Sequence, residues 1–486
     1  MSIRQTIHRF ADGERVFWHT FTLIVSTCLV ASMASSAHAE TLREALLSAY
    51  RKNPQLDAER SNLRATDEDV AIARSNYRPS IGLSGDVSAQ KQNTSPDITS
   101  GDRTTYPAGY SLSLNQQVLS GTRGHTVNLT EANLRAGRET LRSTEQTILL
   151  NAVTAYMNVV RDTAIVELRE NNVRVLSRDL KATQDRFSVG EVTRTDVAQS
   201  RARRSQSVSD LELARANLKS SRANYEQVIG HPPGSLSEPE PPYSILPKTL
   251  PEATRRAELE NPNVLTAFHV EQARYHDVKA NAGQLLPTFD VDATYSNRYS
   301  GGGDLSTTQT ETGTVTGTLR VPLYQRGLVS AEVRQAKQQH IRAMQLLEQE
   351  RNEAREAAIS AWAQLTASRA QLNSTQSQVE ASRIALSGVR EEEEVGQRTL
   401  LDVLDAEQEL LDSQVLLISN RRDLVVNAYT VLSTVGGLTA EGLRLTAQPY
   451  DAEANYNAIK RKWYGISITH SNGKREYFQA KDTAGK

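Results

Sequence analysis

The amino-acid sequence predicts an α+β membrane protein built from two copies of one unit, in which two strands precede a very long helix. Three observations support this prediction. They are an internal repeat, two long stretches without proline, and paired segments of alternating polarity in front of each stretch.

The internal repeat covers almost the whole chain. Residues 42–230 align with residues 250–436 at a spacing of about 206 residues, which indicates a duplicated supersecondary unit rather than a short solenoid module. The two copies agree at residue types with strong structural effects: Asn53 and Pro54 return as Asn261 and Pro262, Pro79 as Pro287, and Val189 and Gly190 as Val395 and Gly396.

Residues 1–39 are predicted to be an export signal. Three arginines give the segment a positive start, residues 16–33 are mostly apolar, and Ala37 and Ala39 form a small-x-small cleavage pattern. Glu40 is then the first mature residue; a retained anchor helix is the alternative. Cys28 is the single cysteine and lies in this segment, so disulfides and a cysteine zinc cluster are excluded from the mature chain.

Composition narrows the class of protein. After the signal no segment offers about 18 consecutive apolar residues, the length that suggests a transmembrane helix. The 56 basic and 57 acidic residues nearly balance, which argues against a nucleic-acid partner. Aromatic residues make up only 5%, too few for one large globular core, so we expect long paired helices with narrow seams.

Proline placement predicts the domain organisation. Residues 108–231 and 323–448 contain no proline, whereas seven of the fifteen prolines lie between residues 232 and 251. Because proline inside a helix costs about 3 kcal/mol, the proline-free stretches are predicted to be helical, with long helices at about 126–188 and 330–394. The proposed order is repeat 1 (40–230), a proline-rich linker (231–249), repeat 2 (250–446) and a polar C-terminal tail (447–486).

Two strand-like segments precede each long helix. Apolar and polar residues alternate over about 10 residues near 80–89, 109–118, 288–295 and 314–321, a pattern typical of membrane β-barrel strands. A half-buried soluble sheet is the alternative. Four strands cannot close a barrel, and an open edge cannot lie in hydrocarbon. Two chains supply eight strands, too narrow for a channel, and three supply twelve with an open lumen, so membrane strands require a trimer or larger.

The turn that follows the second long helix resembles a known family. Residues 395–407 (VGQRTLLDVLDAE), their degenerate copy at 189–197 and the repeat architecture resemble the TolC family of outer membrane export ducts. The resemblance implies a homotrimer with a 12-stranded outer membrane barrel that continues into a periplasmic α-helical coiled-coil tunnel. It also implies a periplasmic adaptor (membrane fusion) protein and an inner-membrane RND or ABC transporter as partners, no enzymatic activity and no cofactor. Members serve multidrug efflux or type I secretion.

Glycine and capping residues predict a helix–turn–helix at each end of the long helices. Gly190 and Gly396 can adopt the left-handed conformation that ends a helix. Thr193 with Asp196, and Thr399 with Asp402, have the spacing of a capping box. Each ascending helix is shorter than its partner, and we expect residues 42–75 and 250–281 to stack above it as one helix in each repeat.

Asp402 and Asp405 are the candidate pore-entrance residues. They lie three residues apart on one helix face, and in a trimer they would place six carboxylates around the axis and make the entrance sensitive to cations. Helix capping is the alternative for Asp402. Candidate residues for gating and adaptor contact at the tips are Val189, Gly190, Thr193, Asp196, Glu393, Val395, Gly396, Arg398 and Thr399.

Arg398 and Glu393 are expected to influence how the tip opens. The resemblance implies that Arg398 ties its hairpin to a neighbour through a carboxylate matching Asp196. Glu393 stands where relatives have an aromatic residue, within the acidic run 391–394. Four acids at a helix C-terminus oppose the helix dipole. Our hypothesis is that this tip opens more easily or binds a basic adaptor surface. Solvated charges are the alternative at both positions.

No catalytic motif is present in the sequence, and the histidines have no metal-ligand spacing. The sequence therefore predicts an outer membrane channel-tunnel that exports small molecules or proteins. The competing interpretation is a periplasmic coiled-coil adaptor or structural protein that never enters the membrane.

Overall fold

The computed structural model describes residues 39–92, 103–302, 305–446, 448–469 and 475–476. The predicted export signal lies outside the described residues except for Ala39.

The first repeat contains α1 (Leu42–Lys52), α2 (Pro54–Ser75), β1 (Ser80–Val87), β2 (Gln90–Gln92), β3 (Arg103–Thr105), β4 (Ala108–Leu119), α3 (Arg123–Ser188) and α4 (Arg194–Ile229). The second contains α5 (Leu250–Glu260), α6 (Pro262–Gly283), β5 (Thr288–Gly302), β6 (Leu305–Arg320), α7 (Leu328–Glu394) and α8 (Leu400–Thr434). The tail adds α9 (Ala454–Ile459), β7 (Ile468–Thr469) and β8 (Arg475–Glu476).

Four strands form one antiparallel sheet in the order β1, β4, β5, β6, while β2 and β3 form a separate hairpin. The register pairs apolar with apolar residues on one face and polar with polar residues on the other. Apolar pairs include Ile81 with Leu114, Leu83 with Leu112, Leu112 with Tyr295, Ala293 with Val315, and Phe289 with Leu319. Polar pairs include Ser84 with Ser111, Asn115 with Asp292, and Thr294 with Thr314.

The last two strands are longer than the sequence predicts. β5 continues to Gly302 rather than ending near 295, and β6 begins well before 314. Residues 296–302 are almost all polar or glycine, so the alternation that marks a strand is absent there. Beyond residue 295 the hairpin of β5 and β6 is held by backbone pairing and has no apolar face.

The helices form two long antiparallel hairpins, α3 with α4 and α7 with α8, as predicted. α3 has 66 residues, about 99 Å at 1.5 Å per residue. The seams are built from small residues that let helices approach closely. Among the buried ones are Ala132, Ala136, Ala152, Ala155, Ala336, Ala343, Ala354, Ala358 and Ala361.

The expected single helix at 42–75 and its copy at 250–281 are each two helices, which corrects the sequence prediction. Both break at the repeated Asn–Pro step, because proline has no N–H for the helical hydrogen bond. Asn53 caps α2 by accepting from the Gln55 N–H (3.0 Å), and its amide donates to the Val228 carbonyl (3.1 Å) at the end of α4. Asn261 makes the equivalent bonds to Asn263 N–H (2.9 Å) and the Thr434 carbonyl (3.0 Å). Each Asn thus joins the new helix to the end of the ascending one, so α2 continues α4, and α6 continues α8.

The largest hydrophobic cluster lies halfway along the helices, where both hairpins pack with α1, the linker and the tail. Tyr156 and Tyr225 are fully buried there. The Tyr156 hydroxyl lies 2.8 Å from the Glu40 carbonyl oxygen and 2.7 Å from that of Ser237, so it holds the segment before α1 and the linker against α3.

None of the helices in the described ranges has an apolar stretch long enough to cross a bilayer.

Candidate functional site at the helical tips

The two hairpin turns have the same backbone design. Gly190 and Gly396 take left-handed φ values of 86° and 78°, which a side chain would strain. The N–H of the residue after each glycine donates to a carbonyl five residues earlier, Glu191 to Arg186 (3.0 Å) and Gln397 to Glu392 (2.8 Å). These are the bonds of a Schellman motif, so the predicted helix ends are present in both repeats.

Both capping boxes are also present. The Asp196 carboxylate accepts from the backbone N–H and the hydroxyl of Thr193, each at 2.8 Å, and Asp402 accepts from the same groups of Thr399 at 2.9 and 2.8 Å. These bonds from Thr399 lower the pKa of Asp402, because they stabilise the ionised carboxylate. Asp402 is therefore a cap and a persistent negative charge at once.

Asp405 is engaged differently. Its carboxylate accepts a hydrogen bond from the Arg203 guanidinium on α4, so the pair joins the first hairpin to the second. The Asp405 side chain stays 57% exposed. Its position one helical turn after Asp402 places both carboxylates on the same side of α8.

A second ion pair joins the hairpins closer to the turns. Glu393 accepts from Arg186 at 3.0 Å, which links the end of α7 to the end of α3. Arg398 instead donates to Glu392 on its own hairpin at 2.9 Å. Glu392 and Glu393 of the run 391–394 therefore each have an arginine partner within the chain. The Asp196 carboxylate is used in the capping box of α4.

Val189 and Val395 lie at the turns themselves and are each 70% exposed. Both precede the left-handed glycine, so each tip presents an apolar side chain next to a tight turn.

Sequence reasoning missed a buried charge cluster above the tip. Arg390 on α7 donates to Glu407 on α8, whose side chain is only 8% exposed. Burial raises the pKa of Glu407 and also that of Asp179 on α3, and the Arg390 charge opposes both shifts. One oxygen of each carboxylate is buried without a hydrogen-bond partner. The sequence does contain an indication of this cluster. Leu404, Glu407 and Leu411 have the 3–4 spacing of a coiled-coil seam, so Glu407 places a carboxylate at a position that is normally apolar.

The polar face of the sheet carries an ion pair and a hydrogen bond between side chains of different strands. Arg298 on β5 bonds both oxygens of Asp86 on β1, at 3.0 and 2.9 Å, and Asn115 donates to Asp292. The opposite face carries Ile81, Leu83 and Val315, which are 69–76% exposed. One face of the sheet thus suits hydrocarbon and the other suits water.

In the described part of the chain no three histidine, cysteine, aspartate or glutamate side chains are grouped to hold a metal ion. A sheet with one hydrocarbon-compatible face, continued by a helical hairpin whose longer helix is about 99 Å, defines an outer membrane channel protein with a helical extension.

Comparison with known proteins places this chain in a family. The model described as outer membrane efflux protein matches residues 45–231 and 253–437, one segment in each repeat. The chain belongs to this family, so it is a non-enzymatic efflux channel of the outer membrane.

Two curated relatives and one solved structure illustrate the likeness. The chain is 37% identical over 447 residues to the outer membrane efflux protein BepC of Brucella suis biovar 1, covering 91% of this chain and 95% of BepC. It is 25% identical over 429 residues to the outer membrane protein TolC of Escherichia coli strain K12, covering 85% and 86%. Its fold is similar to that of the Campylobacter jejuni CmeC outer membrane channel, with a TM-score of 0.74, 16% identity, and coverage of 86% and 89%.

Proposed function

We propose that three copies of this chain assemble into one channel. The observation that carries this proposal is the open sheet: in the described part of the chain β1 and β6 each have one strand neighbour, so each leaves one edge unpaired. An unpaired edge has no water to bond in hydrocarbon, so β1 of one copy pairs with β6 of the next until the sheet closes. Three copies close twelve strands around an open lumen, with the polar face inward.

The trimer is the exit duct of a tripartite efflux pump or a type I secretion system. Its helical hairpins extend into the periplasm, and their tips meet an adaptor protein that connects an inner-membrane RND or ABC transporter. The exposed Val189 and Val395 are the apolar contacts that an adaptor would cover. Cargo is supplied by the transporter, because this chain contributes a passive conduit.

Asp402 and Asp405 form the cation-sensitive ring of the periplasmic mouth. In three copies they supply six carboxylates, and the hydrogen bonds from Thr399 keep Asp402 ionised. Arg203 offsets part of the Asp405 charge, so Asp402 is the stronger contributor to divalent-cation block. Neutralising one carboxylate at a time, as Asp402→Asn or Asp405→Asn, tests this ranking.

The ion pairs between hairpins, Arg186 with Glu393 and Arg203 with Asp405, hold the tip closed. Removing both links frees the second hairpin to move outward from the first. The pair between Arg398 and Glu392 lies within one hairpin of the chain and offers a matched comparison.

The experiment is single-channel recording in planar bilayers of the purified protein and its variants. Glu393→Gln with Asp405→Asn should raise the conductance severalfold, whereas Glu392→Gln, which removes one carboxylate from the same tip, should raise it much less. Equal conductance of all three proteins would refute the gate. Block by divalent cations that survives Asp402→Asn with Asp405→Asn would refute the ring.

A further inference from the structure

The C-terminal tail carries basic and aromatic residues to the start of the sheet. α9 packs against α2, where Asn455 donates to Asp67 at 2.8 Å. Beyond α9, Arg78 donates to the Lys462 carbonyl oxygen at 2.7 Å, and its guanidinium lies 4.9 Å from the centre of the Trp463 ring. Arg78 is two residues before β1, so Lys462 and Trp463 of the tail lie beside the segment that leads into the first strand of the sheet.

Two cavities flank this contact. One has a volume of 620 Å³ and the other of 600 Å³, and both are lined by Arg78 and Trp463. The first is also lined by Arg74, Tyr77, Lys460 and Arg461, and its remaining side is formed by the beginning of α3. The lining is therefore cationic and aromatic together.

Most of the positive charges that line these cavities are not neutralised by a carboxylate of the described chain. Arg74 is paired with Glu131 at 2.7 Å. Among the described residues, Arg78, Lys460, Arg461 and Lys462 make no ion pair with a carboxylate; Lys460 and Lys462 bond only the neutral oxygens of Asn457 and Ser467. We call Arg78, Lys460, Arg461, Lys462 and Trp463 the C-terminal cluster.

The cluster lies at the depth of lipid headgroups. The apolar face of β1 begins at Ile81, three residues after Arg78, which is about 10 Å of extended chain. Headgroup layers occupy roughly this distance outside the hydrocarbon. Trp463 and Tyr464 are 68% and 90% exposed, and such aromatic residues prefer the boundary between hydrocarbon and water.

We propose that the C-terminal cluster binds the phosphate of an anionic phospholipid in the periplasmic leaflet of the outer membrane. The unpaired cations match the phosphate charge, and Trp463 offers a surface for the glycerol and upper acyl chain. A free anion would not need aromatic side chains that are open to the membrane boundary. This inference rests on the outer membrane location and is independent of the proposed gate at the tips.

The test uses tryptophan fluorescence. Tryptophan occurs at three positions, of which Trp18 lies in the predicted export signal, so Trp362→Phe leaves Trp463 as the reporter in the exported protein. The purified Trp362→Phe protein is placed in vesicles of phosphatidylethanolamine and phosphatidylglycerol. Either lipid in turn carries brominated acyl chains, which quench a nearby indole. Preferential quenching by the brominated phosphatidylglycerol measures the relative affinity for the anionic lipid.

We expect a clear preference for phosphatidylglycerol in the Trp362→Phe background. Lys460→Gln with Arg461→Gln should reduce this preference by roughly tenfold, since each charge near the membrane surface contributes severalfold. The charge-conserving pair Lys460→Arg with Arg461→Lys should retain it. The matched control Lys219→Gln with Arg222→Gln removes two exposed cations of α4, far from the sheet, and should also retain it.

Equal quenching by the two lipids, or a preference unchanged by Lys460→Gln with Arg461→Gln, would overturn the proposal. Displacement of the lipid by inorganic phosphate would also overturn it in favour of a site for a small soluble anion. Conductance recorded on the same samples separates this result from the tip gate, which the cluster does not touch.

Discussion

Replacing Arg390 with glutamine perturbs the buried charge cluster above the tip. In the native chain Arg390 is the cation that bonds Glu407 and opposes the raised pKa of both Glu407 and Asp179. After Arg390→Gln, two partly or wholly buried carboxylates lose that compensation. Removing one partner of a buried ion pair costs about 3–5 kcal/mol. Because the Arg390 side chain is 48% exposed and water screens it, we expect about 2 kcal/mol.

The loss should be local and measurable by amide hydrogen exchange. A destabilisation of about 2 kcal/mol raises the exchange rate by roughly thirtyfold. The affected amides are those of α7 and α8 around residues 379–390 and 404–411. Arg383→Gln is the matched control on the same helix, since its pair with Glu380 is more than 60% exposed on both sides and should change exchange by less than about 0.5 kcal/mol.

The raised pKa of Glu407 determines whether the stability of the tip rises or falls with pH. Burial raises the pKa of Glu407 above the ordinary value of 4.5, so the folded tip binds this proton more tightly than the unfolded chain does. Stability of the tip therefore increases as the pH falls from neutral towards 4.5, and the effect is larger in Arg390→Gln. The double variant Arg390→Gln with Glu407→Gln should exchange nearly as slowly as the native chain. Unchanged protection in Arg390→Gln, or protection that falls on mild acidification after each rate is divided by the intrinsic exchange rate at that pH, would refute the reasoning.

Three further predictions concern the scaffold. Asn53→Ala removes a helix cap and the bond that joins α2 to α4, so thermal melting should show a loss of about 1–2 kcal/mol, and Asn261→Ala should cost a similar amount in the second repeat. Gly283→Ala places a methyl group 2.2 Å from a backbone oxygen of the turn before α3, so the yield of folded protein should fall sharply; Gly137→Ala, with 3.5 Å to its nearest neighbour, should be neutral or slightly stabilising. Thr399→Ala removes the cap of α8, and hydrogen exchange at the first turn of α8 should rise by roughly fivefold, equivalent to about 1 kcal/mol.

The sequence was informative wherever a residue type acts locally. Long helices follow from the absence of proline, and the turns follow from Gly396 and from the capping pair Thr399 with Asp402. Alternation predicted the sheet but underestimated β5, because beyond residue 295 the strand carries no apolar face and backbone pairing alone sustains it. The break at Asn53 follows locally from Pro54, which has no N–H for the helical hydrogen bond. The bond that joins α2 to the end of α4 could not be predicted, because Val228 lies 175 residues from Asn53.

The ion pairs of the tip were beyond a reading of the sequence for the same reason. Asp405 and Arg203 are 202 residues apart, and Glu393 and Arg186 are 207 apart. Their pairing depends on how the two hairpins lie against each other, which periodicity does not specify. The spacing of Asp402 and Asp405 and the family resemblance predict a pore-entrance role for both residues. Their partners within the chain depend on how the helices pack.

In the proposed channel three chains close one barrel through their sheet edges, and cysteine cross-linking tests this closure directly. The single native cysteine lies in the predicted export signal, so the exported chain provides a cysteine-free background. Ser84→Cys on β1 is combined in turn with one cysteine on the polar face of β6; the β6 positions are Thr310, Thr312, Thr314 and Thr316. Thr294→Cys with Thr314→Cys, which face each other within one chain, is the control.

In intact outer membranes, oxidation of at least one β1–β6 combination should give a covalent ladder of two and three chains on denaturing gels. The ladder should stop at three, and the control should give single chains only. Single chains in every combination, or a ladder that stops at two or continues beyond three, would contradict the account.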